Sequence, residues 1–197
     1  MDKRIWSVLA CLVLLAGPAA AQQSVLFDFN NAPQHTSFPL DLTVGGITAH
    51  FSATGQGYSI QLPTDCAGLT PQGFGGLGVC PNSVFLADLL VGYSEALRDF
   101  SIMYSPQELG CDDSATIRVT GYMDGVFVAT ATTTAPNPGT WPTGVLTLVA
   151  PQGFNSVVVH YESPPPTCQD YGVIFMADNM IVTPLAVPVE LQSFSVE

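Results

Sequence analysis

The sequence predicts an all-β fold, an antiparallel β-sandwich of jelly-roll type with about ten strands. Three observations carry this. Short apolar segments alternate with period two, as half-buried strands do. Turn residues punctuate them, with 18 Gly and 16 Pro in 197 residues. Val, Phe and Thr, which suit a pleated surface, are frequent, and long Lys/Glu/Ala-rich helical stretches are missing.

The strands are expected in the following order. "SVLFDFN" sets Val25, Phe27 and Phe29 on one face and Leu26, Asp28 and Asn30 on the other. "GITAHFSA" and "GYSIQL" follow, then a long Gly/Pro-rich loop, then "SVFLADLLVGYS" and "LRDFSIMY". A helix from Val84 to Tyr93 is the alternative for the first of that last pair, but Gly92 and the alternation favour a strand. "ATIRVTGYMDGVFVATAT" reads as a hairpin turning at Asp124-Gly125. "TGVLTLVA", "FNSVVVHYE" and "YGVIFMADNMIV" complete the series.

Ahead of the strands, Lys3 and Arg4 precede a short apolar run and then small residues at Ala19 to Ala21. This pattern predicts a secretory signal peptide over residues 1–21. The apolar run is too short to span a bilayer comfortably, and no later segment approaches that length. Residues 22–184 form the sandwich domain in this reading, and residues 185–197 a linker-like tail. The protein is therefore expected outside the cell or at its surface.

Removal of the signal takes Asp2, Lys3 and Arg4 with it. Two of 4 basic and 15 of 16 acidic residues remain, so the mature charge is 2 − 15 = −13. Such a field repels phosphate backbones and anionic lipid, which argues against a nucleic-acid partner. Neutral glycans, cations and other proteins remain as partner classes.

Four cysteines also remain, Cys66, Cys80, Cys111 and Cys168. In a secreted chain they predict two disulfides, with three pairings open. The segments "YSPQELGCDD" and "YESPPPTCQD" repeat one pattern: a Tyr ends an apolar run and a Cys follows seven residues later. With strands that reverse direction at each step, Tyr104 and Tyr161 fall at the same end of the sandwich. That favours Cys111–Cys168 and leaves Cys66–Cys80 inside the loop from Pro63 to Asn82. A long structureless loop is otherwise hard to hold in a compact domain. Loop closure gives about 3 kcal/mol for this staple and roughly 4 for the longer one in the entropic model.

Catalytic patterns are sparse. There is no G-x-S-x-G, no strand with closely spaced carboxylates and no histidine at the expected mature N-terminus, Gln22. "GFGGLG" runs into Cys-Pro instead of a helix, so it does not read as a phosphate loop. One metal-enzyme reading survives: His160 and Glu162 share a strand face, and His50 lies on another strand, as a two-histidine, one-carboxylate site requires. Asp178 sits in a strand apolar on both faces, so its carboxylate must be paired, hydrogen-bonded or metal-bound. Structural calcium held with Asp28 and Asn30 is one solution, and capping of backbone N–H groups in a turn is the other. Tyr58, Trp141 and Tyr171 lie near turns and are candidate platforms for sugar rings, or else covers for the sandwich edge.

The order "FDFNN" first and "FMADNMIV" last, around a β-rich middle, resembles bacterial secreted jelly-roll domains found with PEP-CTERM or type IX sorting tails. These are similar in architecture to carbohydrate-binding modules. The resemblance implies a terminal-strand Asp that helps hold calcium, matched by Asp178. "PVELQSFSVE" looks like the segment before type IX sorting domains, though no such domain follows it here. The sequence thus points to a non-catalytic binding module for neutral glycans. The alternatives are an adhesive or structural surface domain without a small ligand, and the metal-dependent enzyme.

Overall fold

A computed structural model describes residues 23–83, 86–106, 114–136, 142–162 and 175–186. The all-β expectation holds. Ten strands, β1 (Val25–Phe27), β2 (Leu40–Val44), β3 (Ile47–Ala53), β4 (Tyr58–Gln61), β5 (Gly78–Pro81), β6 (Leu89–Pro106), β7 (Ser114–Met123), β8 (Val126–Pro136), β9 (Gly144–Tyr161) and β10 (Phe175–Pro184), join into one antiparallel sheet. Among the described residues a single short helix, α1 (Pro63–Ala67), starts at a proline that needs no N–H donor and stops at Gly68 in the left-handed conformation. Among the described residues no helix is long and apolar enough to cross a membrane.

The sheet closes over itself because β6 and β9 are 18 residues each, well beyond an ordinary strand. Residues 89–92 of β6 pair with β3 and with residues 156–159 of β9, and β7 and β8 continue that layer. Residues 97–106 of β6 pair instead with β10 and with the first part of β9, and β10 carries β1 and β5. Register shifts between Gly92 and Asp99 mark where the two long strands bend from one layer to the other. Phe27, Phe51, Phe100, Phe154 and Phe175 are all buried between the layers.

The strand inventory differs from expectation in three ways. "SVFLADLLVGYS" and "LRDFSIMY" supply one strand, β6, which begins only at Leu89. "TGVLTLVA" and "FNSVVVHYE" likewise form one strand, β9. Two short strands, β2 and β5, were not anticipated, so the total still comes to ten.

Cys66 and Cys80 form the expected disulfide, with Cα atoms 6.2 Å apart. Cys111 and Cys168 lie outside the described residues. The strand count that paired them fails, because β6 and β9 run antiparallel with Tyr104 opposite Gly144, while Tyr161 lies at the far end of β9. A different route brings their flanking strands together. Phe175 pairs with Pro106, and the Glu162 N–H donates to the Thr116 carbonyl at 2.7 Å. The described residues that flank the two cysteine-bearing segments therefore lie close to one another. Non-reducing peptide mapping of the mature protein should accordingly recover Cys66–Cys80 and Cys111–Cys168 peptides and no free thiol. A free Cys111 or Cys168 would remove the second staple.

Candidate functional site

The fold sets the acidic and amide residues named for a cation site at one place along β1 and β10. Antiparallel pairing of β1 with β10 sets Phe27 opposite Met180, which delivers Asp28 and Asn30 beside the turn at Asp178 and Asn179. Asp178 is fully buried. Its Oδ2 accepts the Gly75 N–H at 2.9 Å and its Oδ1 accepts the Asn179 N–H at 2.7 Å. Asn30 Oδ1 accepts the Leu77 N–H at 2.9 Å, and the Asn179 amide donates to the Gly73 carbonyl at 3.2 Å. Asp28 Oδ1 accepts the Asn30 N–H at 3.2 Å.

These contacts give the "GFGGLG" loop its role. It does present backbone N–H groups to side-chain oxygens, but these are the chain's own: Gly75 donates to Asp178 and Leu77 to Asn30. Gly76 is obligatory there. Its φ is +70°, and a Cβ would sit 1.9 Å from Asn30 Oδ1. Sequence reasoning weighed this loop only against a phosphate ligand. It also passed over Asn179, whose φ of 49° bends β10 at its register shift.

Burial raises the Asp178 carboxyl to about 6, against the pull of the Gly75 and Asn179 hydrogen bonds, and the nearby charge of Asp28 adds to the rise. The expected capping of backbone N–H groups by Asp178 is therefore present. The same donor set fits calcium in kind: two carboxylates and an amide oxygen, Asp178 with two backbone N–H groups engaged and Asp28 and Asn30 with one each, all with lone pairs remaining. Among the described residues there is no group of three or more His, Cys, Asp and Glu that could hold a metal ion.

The two-histidine site does not assemble. His50 is opposite Gly92, which is opposite Ser156, so His160 lies four residues further along β9. That offset is roughly 13 Å at the rise of an extended strand. Each group also has its own partner. His50 Nδ1 is 2.8 Å from Asp41 Oδ1, His160 Nδ1 is 2.6 Å from Asp88 Oδ1, and Glu162 forms an ion pair with Arg118.

Tyr58 is not a surface platform. It is completely buried. Its ring lies 5.4 Å from that of Phe175 and 6.3 Å from that of Phe38, and its hydroxyl donates to the Ala87 carbonyl at 2.7 Å. Burial, and then the charge of Asp88, push the phenol well above its ordinary range, so it stays a neutral donor. Trp141 and Tyr171 lie outside the described residues. The strand ends that bracket them converge, however. Gly144 is opposite Tyr104, Phe175 is opposite Pro106, and the Tyr104 hydroxyl donates to the Thr133 carbonyl at 3.1 Å, tying β6 to the end of β8.

No family model and no curated protein matches the chain. Among solved structures it is similar to a DUF4465 family protein from Bacteroides caccae, with a TM-score of 0.53 and 12% identity, covering 83% of this chain and 100% of that one. It is also similar to the K2 cleaved adhesin domain of Lys-gingipain, with a TM-score of 0.46 and 15% identity, over 81% of this chain and 97% of that one. A third likeness is to an arabinose-bound α-L-arabinofuranosidase, MgGH51, with a TM-score of 0.46 and 12% identity, over 85% of this chain but 27% of that one. The first of these supports the sandwich fold. At such identities none of them carries a function across.

Proposed function

We propose that this protein is a secreted, non-catalytic binding module whose ligand is a neutral glycan, met at the end of the sandwich where β6, β8, β9 and β10 converge. One observation carries the reading. The chain must hold Trp141 between Pro136 and Pro142, and Tyr171 between Glu162 and Phe175, and the anchoring strand ends are drawn together by the Tyr104 hydroxyl. Two aromatic residues whose flanking strand ends converge suit a stacking site for sugar rings. The proline-rich stretch around Trp141 limits its freedom, which lowers the ordering cost of binding. The acidic charge agrees with a neutral ligand, since an anionic one would be repelled.

Calcium at Asp28, Asn30 and Asp178 belongs to the same proposal as a structural ion. It would neutralise two nearby carboxylates and fasten β1 and β10 to the Gly73–Leu77 loop, with no part in any reaction. The second reading, an adhesive domain without a small ligand, gains from the burial of Tyr58, which removes one of three expected platforms.

Intrinsic fluorescence titrated with neutral oligosaccharides decides between them. Binding should perturb the wild-type signal, vanish in Trp141→Ala, and change little with salt, because screening acts on charge contacts. A Trp141→Ala variant that loses stability, beside a wild type that no sugar perturbs, would make Trp141 structural and the adhesive reading the better one.

A further inference from the structure

We propose that the side of the sandwich formed by β8 and the first half of β9 is where a second copy of this chain docks. From Gly125 through Tyr161 the sequence contains no Asp, Glu, Lys or Arg, in a chain whose formal charge is −12. The fold sets residues 126–136 and 144–154 of that stretch on two neighbouring strand edges. Among the described residues β8 pairs only with β7, and it ends the sheet order. Residues 144–154 of β9 pair with β6 on one side, and among the described residues no strand pairs with their other side.

Edges of this kind normally carry charges, Pro or a cover, because their backbone groups template pairing with another chain. Among the described residues the cover here is slight. Gln152 Nε2 donates to the Val128 carbonyl at 3.4 Å, and the Tyr104 hydroxyl reaches the Thr133 carbonyl. The residues between them, 129–132, read Ala-Thr-Ala-Thr and offer no repelling side chain. Apolar side chains surround the edges: Val126 is 68% exposed, Phe127 60%, Val145 51% and Val149 60%.

Charge selects the occupant. Two copies of so acidic a chain repel each other on most approaches, and this side is the exception. The charges bordering it are largely neutralised in pairs, Arg98 with Asp99 and Arg118 with Glu162. Asp124, at the hairpin tip, accepts from Asn155 Nδ2 at 2.7 Å. A two-fold arrangement lets the same edge meet itself, as isologous dimers do.

Sedimentation velocity of the mature chain from about 1 to 100 μM tests this, since association shifts with concentration. A dimer should form, and added salt should favour it by screening the net charge. Phe127→Glu with Val145→Glu should weaken it about tenfold or more, a change of about 1.4 kcal/mol. Both positions are exposed, so the variant's melting temperature should stay near wild type and show that it folds. Gln56→Glu, on a distant loop, should leave the dimer intact. A wild type that stays monomeric throughout, or a dimer indifferent to the paired Glu substitutions in a folded variant, would overturn the proposal.

Discussion

Tyr58→Ala is expected to destabilise the protein by about 3–5 kcal/mol, a large share of the roughly 5–15 kcal/mol that holds a domain folded. The side chain is fully buried, so truncation opens a cavity between Phe38 and Phe175 and strands the Ala87 carbonyl without its donor. Tyr58→Phe keeps the ring and loses only the hydrogen bond, so it should cost about 1–2 kcal/mol. Urea denaturation of both variants separates the packing from the hydroxyl. If Tyr58→Ala melted like the wild type, the ring would have to be a surface group after all, and the platform reading would return for this residue.

The error over Tyr58 has a physical source. The residue follows "GQG", and an aromatic beside such a turn reads as exposed. What the sequence does not show is that β4 lies between the β5 ladder and the bridge from Ser37 to Ser59, so the residues after the turn are covered at once. The hairpin at Asp124-Gly125 was legible because its whole signal is local: β7 ends at Met123 and β8 begins at Val126. The long strands were not. In β6 the buried positions are Leu89, Val91, Tyr93 and Leu97, then Phe100, Ile102 and Tyr104. The alternation changes phase at the bend, and a phase change in sequence looks like a strand end. In β9 it changes again between Phe154 and Val157. β2 escaped notice for the opposite reason, since its side chains are all exposed or half-buried and leave no apolar stripe.

The cluster around Asp178 was half legible. A carboxylate in an apolar strand had to have partners, and Asp28 and Asn30 were named for that place. The partners that matter most are main-chain N–H groups of the Gly73–Leu77 loop, and these have no signature in residue type beyond the glycines. The histidines failed for want of register: shared strand faces say nothing of how far apart along a ladder two residues fall.

With chelator present, the protein should become more stable as the pH is lowered from 7 toward 4, as far as Asp178 governs it. The carboxyl is raised from 3.8 to about 6 in the folded state, chiefly by burial. The folded chain therefore holds this proton more tightly than the unfolded chain. Its contribution is fully present below about pH 4 and is lost as the pH rises through about 6. At about 1.4 kcal/mol per pH unit across that window, discounted for residual screening, the effect is of the order of 2 kcal/mol. Asp178→Asn removes the titration and should flatten this part of the profile. It should also lower stability at every pH, because an amide offers one acceptor oxygen where Gly75 and Asn179 each donate to a separate one. Calcium should compete with the proton and stabilise at the other end of this range: at pH 7.5 it should raise the melting temperature of the wild type by mass action and leave Asp178→Ala unmoved. Thermal melts at pH 4.5, 6 and 7.5, each with chelator and with calcium, read all of this together. A wild type whose melting temperature ignores calcium at pH 7.5 while keeping the acid-side gain in chelator would leave Asp178 as the anchor of the glycine loop alone.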